Sequence, residues 1–398
     1  MSATMKWCLI IVVLPYFPRL TAALTEADFA ALVLAIEADI PSVASMRGTL
    51  TRADWIGAAL RLLFHDAGTF DQRTGLYGPD GCLDRTSPEN KGMEPILVLA
   101  DTLEAEYSGK MSRADVWHLI SYVAIAVAMP DEAEALAEGL TFLNSFKLGR
   151  VDATFNCTDD ATLNLPDNHG DATELQRVFQ TQMGLTEAEL TALMGAHSVG
   201  RATKLDSGFD GAWDTTPATL DTRYYNDLRN RGWQRQAVDE NKLQWRLADR
   251  FFDPRTDEMT IMLNSDIALA FEAGPVIMDV NDTERVTTSG CKVGPSRPGR
   301  ISCVRKNAGT GAHVRRFIGN DRVWRAEFFN VISKVSTLGL TSDQLTSACL
   351  SGGCISFLSS TLPPASDDGG PHLYSLSWSV RACVSMVLML MPAPVGQG

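Results

Sequence analysis

Leu60-Arg61-Leu62-Leu63-Phe64-His65-Asp66 ends a run of helical periodicity that begins at Trp55. Residues four apart lie on one face of a helix, so Arg61 and His65 point the same way. Ile56, Leu60 and Leu63 form a neighbouring apolar stripe that can bury the helix. A cation within such a helix is costly unless something uses it. His65 can take a proton from one bound oxygen and return it to a departing one. Arg61 can stabilise the negative charge that develops as the two oxygens part. The same residues also read as an Arg–Asp surface pair beside a core histidine, and this segment alone leaves both readings open.

A second segment lies far along the chain. Thr186-Glu187-Ala188-Glu189 is a capping box. Leu190, Leu193, Met194 and His197 follow at one-face spacing, so a helix is expected from Glu187 to His197. Gly195 and Ala196 are small enough for a flat cofactor to approach closely. A lone histidine of this kind is ordinarily part of the core. Leu263-Asn264-Ser265-Asp266-Ile267-Ala268-Leu269 changes that reading, because a carboxylate in an apolar segment is expensive unless paired. A metal-ligating histidine needs an acceptor for its other ring N–H, and Asp266 fills that role.

Helical periodicity recurs at Phe29–Ile40, Ile96–Glu106 and Ala114–Ala128, and strand signals are scarce, so the fold class is mainly α. Loops rich in Gly, Pro and Asp are expected at Phe70–Gly92 and Gly274–Gly311. The chain has 398 residues, 45% of them apolar, which is ample for a large core. A net charge of -13 without basic patches argues against nucleic acid, anionic membranes and anionic substrates.

Lys6, the apolar run Trp7–Phe17 and the small residues Thr21-Ala22-Ala23 read as a secretory signal over residues 1–23. The main domain is expected over 24–346. Residues 347–398 form a Ser/Gly/Pro-rich linker and an apolar tail, Ala382–Val395. That tail is short against the ~20 residues of a membrane span. A lipid-anchor signal fits its pattern, but Arg381 and the polar last residues count against membrane attachment. Loss of Cys8 with the signal leaves seven of the eight cysteines, an odd number. Cys291 with Cys303 and Cys349 with Cys354 are candidate local bridges in an oxidising compartment. The sequons Asn156-Cys157-Thr158 and Asn281-Asp282-Thr283 fit the same compartment.

Four further stretches complete the picture: Pro88-Glu89-Asn90, Gly149-Arg150-Val151-Asp152-Ala153, Gly195-Ala196-His197-Ser198-Val199-Gly200-Arg201 and Ser207-Gly208-Phe209-Asp210-Gly211-Ala212-Trp213. With the two segments above they resemble the plant–fungal–bacterial haem peroxidase superfamily, from about Leu24 to Leu340. The resemblance implies a mainly α, two-lobed fold with haem b between the lobes. It implies that His197 ligates the iron, that Arg61 and His65 split hydrogen peroxide, and that Asn90 accepts the other N–H of His65. Phe64 and Trp213 would flank the haem, and one oxidising equivalent would reside on the porphyrin or on Trp213.

The motifs mix branches of that superfamily. The wording around His197 and Trp213 is similar to that of the intracellular ascorbate and cytochrome c peroxidases, whereas Phe64 is typical of the secreted branches. Asp206 stands where ascorbate peroxidases carry an arginine that helps hold ascorbate. The expected donor is therefore a small aromatic molecule, most simply a phenol, oxidised by a secreted monomer. The resemblance also implies calcium held by Ser198, Asp214, Thr216, the Thr219 carbonyl and Asp221; two carboxylates there favour calcium over a monovalent ion. A distal calcium would use Asp66, Gly78 and Asp80, but Cys82 replaces the usual serine and a thiol suits a hard cation poorly. That leaves either a weak site or a bridged Cys82. Two readings from other classes are a haem-binding protein without turnover and a surface-attached interaction protein on a peroxidase scaffold. The intact Arg61, His65 and Asn90 oppose the first, and the tail from Ser347 motivates the second.

Overall fold

A computed structural model describes residues 23–41, 50–158, 165–231, 233–238, 242–247, 260–272, 291–293, 301–303, 308–356 and 358. Residues 1–22 of the expected signal, the sequon at Asn281, most of the expected 274–311 loop and the apolar tail lie outside these residues. Among the described residues there are eleven α-helices: α1 (Glu26–Asp39), α2 (Arg52–Ala67), α3 (Glu94–Glu106), α4 (Arg113–Val127), α5 (Ala133–Asn144), α6 (Ala172–Leu175), α7 (Glu187–Met194), α8 (Arg223–Asn230), α9 (Asn264–Ala270), α10 (Gly311–Phe317) and α11 (Asp321–Val335). The mainly α expectation holds. Strands are short: β1 (Lys147–Leu148), β2 (Arg201–Ala202), β3 (Gly211–Ala212), β4 (Trp233–Ala237), β5 (Leu243–Leu247), β6 (Ile261–Met262), β7 (Cys291–Val293), β8 (Ile301–Cys303) and β9 (Thr346–Ser347). They pair antiparallel as β1–β9, β2–β3, β4–β5–β6 and β7–β8.

Local signals start the helices that matter most. The Thr25–Asp28, Thr51–Asp54 and Thr186–Glu189 pairs are reciprocal capping boxes for α1, α2 and α7, satisfying backbone donors that the first helical turn leaves unpaired. Helix α4 is buried at every residue from Ala114 to Val127, as a helix apolar all round must be. It is the central strut. Helix α2 lies along it, with Ser121 Oγ donating to the Ala59 carbonyl at 2.5 Å.

Two expectations need correction. Helix α7 stops at Met194, and His197 stands on a 3-10 turn, Gly195–Ser198. The carbonyls of Thr191 and Ala192 accept from Tyr225 Oη (2.6 Å) and Trp324 Nε1 (3.1 Å). Those side-chain donors compete with the last α-helical amides, and the turn tightens. A Cβ on Gly195 would fall 2.4 Å from Tyr225 Oη and 2.6 Å from Trp324 Nε1. Its smallness therefore serves packing against α8 and α11.

The domain boundary expected after residue 346 also moves. Strand β9 pairs with β1, Cys349 bridges Cys354, and Ala348, Cys349, Ile355 and Leu358 are buried. The packed fold thus runs at least to Leu358. A second bridge joins Cys82 to Cys157, and Cys291 and Cys303 are register partners across β7–β8. Cys383 lies outside the described residues. No helix of the described residues is long and apolar enough to cross a membrane.

Candidate active site

Helix α2 presents Arg61 and His65 together, as their spacing requires, with Arg61 Nε 3.3 Å from His65 Nε2. The guanidinium also donates to the carbonyls of Lys91 (2.6 Å) and Glu89 (2.5 Å). Asn90 ends a 3-10 turn, Pro88–Asn90. Its Nδ2 donates to the Asp84 carbonyl at 2.7 Å, which turns Oδ1 toward His65 Nδ1, also at 2.7 Å. Because Asn90 Oδ1 can only accept, Nδ1 of His65 carries the proton and Nε2 offers its lone pair beside Arg61. Burial pushes the His65 pKa down to about 3, the Arg61 charge adds to the shift, and the Asn90 bond opposes it. The result is a neutral imidazole poised to accept a proton. Phe64 is half-buried and stacks on Phe179, ring centroids 5.8 Å apart.

The proximal group converges on one carboxylate. Asp266, fully buried on α9, receives His197 Nδ1 and Tyr224 Oη on Oδ1, both at 2.7 Å. Its Oδ2 receives Trp213 Nε1 at 2.8 Å and the Leu263 amide at 2.7 Å. Burial alone would raise this carboxyl, but His197, Tyr224 and the Leu263 N–H hold it below the usual range. Trp213 stacks on His197 with centroids 4.3 Å apart. The His197 side chain is 30% exposed, and the protein binds it through Nδ1, leaving Nε2 as the atom on offer. That is what a histidine that would hold iron needs. Tyr224 escaped the sequence reading, since a tyrosine on the amphipathic helix α8 looks like core. The clue available was Asp266 itself, whose two oxygens can take more donors than His197 supplies.

The distal helix and the segment after His197 touch. A Cβ on Gly57 would lie 2.6 Å from Gly200 Cα, and Arg201 Nε meets Asp54 Oδ1 at 2.9 Å. The helix that carries His65 therefore packs against the segment that follows His197. A profile of the family described as Peroxidase matches residues 42–277 of the chain. The chain belongs to the peroxidase family.

This peroxidase is 34% identical over 217 residues to a Candida albicans protein whose name is that of a heme-binding peroxidase, covering 53% of this chain and 67% of the relative. It is 30% identical to the cytosolic L-ascorbate peroxidase 2 of Oryza sativa subsp. japonica, over 46% of this chain and 68% of that one. Against the mitochondrial cytochrome c peroxidase of Aspergillus fumigatus the identity is 31%, over 53% of each chain. The family binds haem, and the site offers a histidine with a carboxylate behind it for that purpose.

The oxygens expected at the proximal ion come together. Ser198 Oγ donates to the Thr219 carbonyl at 3.1 Å and accepts the Asp221 amide at 3.2 Å. Thr216 Oγ1 bridges Asp214 Oδ1 (3.3 Å) and Asp221 Oδ2 (2.9 Å). Asp214 Oδ2 is buried without a hydrogen-bond partner. Burial, with Asp221 and Asp227 nearby, pushes the Asp214 carboxyl up to about 7. The distal set of Asp66, Gly78 and Asp80 differs. Asp66 faces His118 on α4, with Nε2 3.0 Å from Oδ2, and Cys82 is in its bridge to Cys157. Finally, Asp206 lies against Gly92, where an added Cβ would be 3.0 Å from the Asp206 Cβ. Its charge acts on Arg61 together with those of Glu89 and Glu94.

Proposed function

We propose that this enzyme reduces hydrogen peroxide with haem b and oxidises small phenolic donors one electron at a time, in an oxidising, extracellular setting. One observation carries the reading: both histidines have Nδ1 fixed by an acceptor at 2.7 Å, so each offers Nε2, one beside a guanidinium and one beside Trp213. Bound haem supplies the iron that takes two oxidising equivalents from peroxide and passes them singly to donors. His197 Nε2 would hold that iron, with Asp266 fixing the ring and making it a stronger electron donor. His65 Nε2 would take one proton of the peroxide and return it to the oxygen that leaves as water. Arg61 stabilises the negative charge between those events. Asn90 keeps His65 in the one tautomer that can do this. Phe64 on the His65 side and Trp213 on the His197 side would pack against the haem.

The phenolic donor follows from charge. Asp206, with Glu89 and Glu94, gives the Arg61 side of the site an acidic rim, which repels an anion such as ascorbate and leaves a neutral ring unaffected. Catalytic efficiency with guaiacol is expected to exceed that with ascorbate by at least about tenfold, a difference of ~1.4 kcal/mol, and Asp206→Arg should narrow the gap. Faster turnover of ascorbate than of guaiacol by the wild-type enzyme overturns this assignment. Trp213, stacked on His197 and bonded to Asp266, supports a second route by which a larger partner could be oxidised. The bridges Cys82–Cys157 and Cys349–Cys354 support the oxidising compartment, and Asn156 in its sequon is exposed for glycosylation.

Calcium is the second proposed ion. The unpartnered Asp214 Oδ2, with Asp221, Ser198, Thr216 and the Thr219 carbonyl around it, suits a hard cation that takes oxygen ligands. At a hundredfold excess over Kd, binding stabilises the fold by about 2.7 kcal/mol, so chelation should lower Tm by roughly 5 °C. Activity should fall with it, because Ser198 neighbours His197, and added calcium should restore both. Elemental analysis finding no calcium in active enzyme defeats this proposal.

A further inference from the structure

His118 belongs to neither histidine centre, yet it is fully buried and lies behind one of them. It sits on α4, the apolar strut, and its Nε2 is 3.0 Å from Oδ2 of Asp66, the residue after His65. Asp66 is also where family resemblance expects a distal calcium. Each residue of that expected set already has oxygens engaged within the chain. Asp66 Oδ1 accepts the Cys82 amide at 3.1 Å, Oδ2 faces His118, and the Asp66 carbonyl accepts Thr69 Oγ1 at 2.8 Å. The Gly78 carbonyl accepts the Asp80 amide at 2.8 Å, and Asp80 Oδ1 accepts the Cys82 amide at 3.1 Å. The Asp80 carbonyl accepts the Ala153 amide at 2.8 Å. Where a hydroxyl ligand is expected, Cys82 offers a sulfur bonded to Cys157. Calcium needs six to eight oxygens. The proximal set, by contrast, leaves a buried carboxylate oxygen unpartnered.

The strongest argument for an ion is that the Asp80 charge disfavours ionisation of Asp66, and that of Asp152 disfavours ionisation of Asp80. Two cations of the chain already answer it: Arg150 acts on Asp66 and Arg113 on Asp80. Arg113 is held there by its Nε bond to the Gly81 carbonyl at 2.6 Å.

We infer that the His118–Asp66 pair, with the Cys82–Cys157 bridge, takes the place of a distal calcium in this enzyme, and that His118 is a positioning residue for His65. Tying Asp66 to α4 fixes the rotation of the last turn of α2, and hence where His65 Nε2 points. The inference rests on His65 being the base toward peroxide.

The test uses the haem-loaded full chain. Elemental analysis after equilibration with calcium should find at most one ion per chain, lost in Asp214→Asn. A second ion in the wild type, or one that survives in that variant, overturns the inference. His118→Leu should slow the first reaction with peroxide ten- to hundredfold, the scale of moving a reacting group by ~1 Å. Its haem absorption and resonance Raman spectra should change as His65 shifts. His118→Gln, which keeps a neutral N–H donor, should restore rate and spectrum to within about twofold of wild type, well below one tenfold step of ~1.4 kcal/mol. A folded His118→Leu enzyme with wild-type rate and spectrum refutes the positioning role. If wild type itself fails to react with peroxide, it is the reading of His65 that fails.

Discussion

Replacing His65 by leucine is expected to slow the first reaction of the haem-loaded enzyme with peroxide by at least ~100-fold, the usual scale of a positioned acid–base group. The argument is one of bonding. Asn90, pinned by the Asp84 carbonyl, leaves His65 no choice of tautomer, so its lone pair sits on Nε2 beside Arg61. Leucine keeps the bulk and loses the lone pair. Arg61→Leu removes a donor aimed at developing charge, worth roughly 10²–10³ in rate. The pH profile separates the two. His65 works unprotonated, so the wild-type rate constant should hold as pH falls past the ordinary imidazole range. It should decline only as pH approaches the depressed value of about 3. Arg61→Leu removes a charge that helps depress that value, and its acid limb should move to higher pH. His65→Leu should have no such limb. Stopped-flow spectra of the haem across pH are the measurement. A His65→Leu enzyme that reacts as fast as wild type refutes the proton-transfer role.

How much of this was legible before the fold was known differs from residue to residue. Arg61 with His65, and the helix that carries them, follow from spacing alone, because a helix turns positions four apart into neighbours. His197 with Asp266 was legible through cost: a carboxylate in an apolar segment demands a partner, and the 2.7 Å bond supplies it. Asn90 came through family likeness, since nothing local in a Gly- and Pro-rich loop announces a bond to a residue 25 positions away. His118 and Tyr224 were hidden for one shared reason. Each sits in a helix whose apolar pattern accounts for it as packing, and its partner, Asp66 or Asp266, lies 52 or 42 residues off. The end of α7 is not legible in the sequence because side chains from α8 and α11 take its carbonyls. Such tertiary competition leaves no trace in the periodicity of residues 187–197.

The proximal carboxylate yields the second large effect. His197→Ala should abolish stable haem binding, or leave haem without the spectrum of a histidine ligand. Asp266→Asn should keep haem but raise its ferric/ferrous reduction potential, since a neutral amide draws the His197 proton less than a carboxylate does. Activity should fall by about ten- to a hundredfold, as is usual when the partner of a metal-ligating histidine is changed. The fold should suffer as well. Four donors converge on Asp266, two on each oxygen. An amide offers an acceptor on one side only. The other side must meet two N–H or O–H groups with an NH₂, at roughly 1–3 kcal/mol for each buried donor left unsatisfied. Tyr224→Phe makes the opposite change. It removes the donor that shares Oδ1 with His197, leaves more negative charge facing the imidazole, and should lower the potential while haem is retained. Spectroelectrochemical titration of the three proteins reads the order directly: Asp266→Asn above wild type, Tyr224→Phe below it. Equal potentials in all three, or unchanged peroxidase rates in both His197→Ala and Asp266→Asn, would remove Asp266 from its role behind the iron ligand.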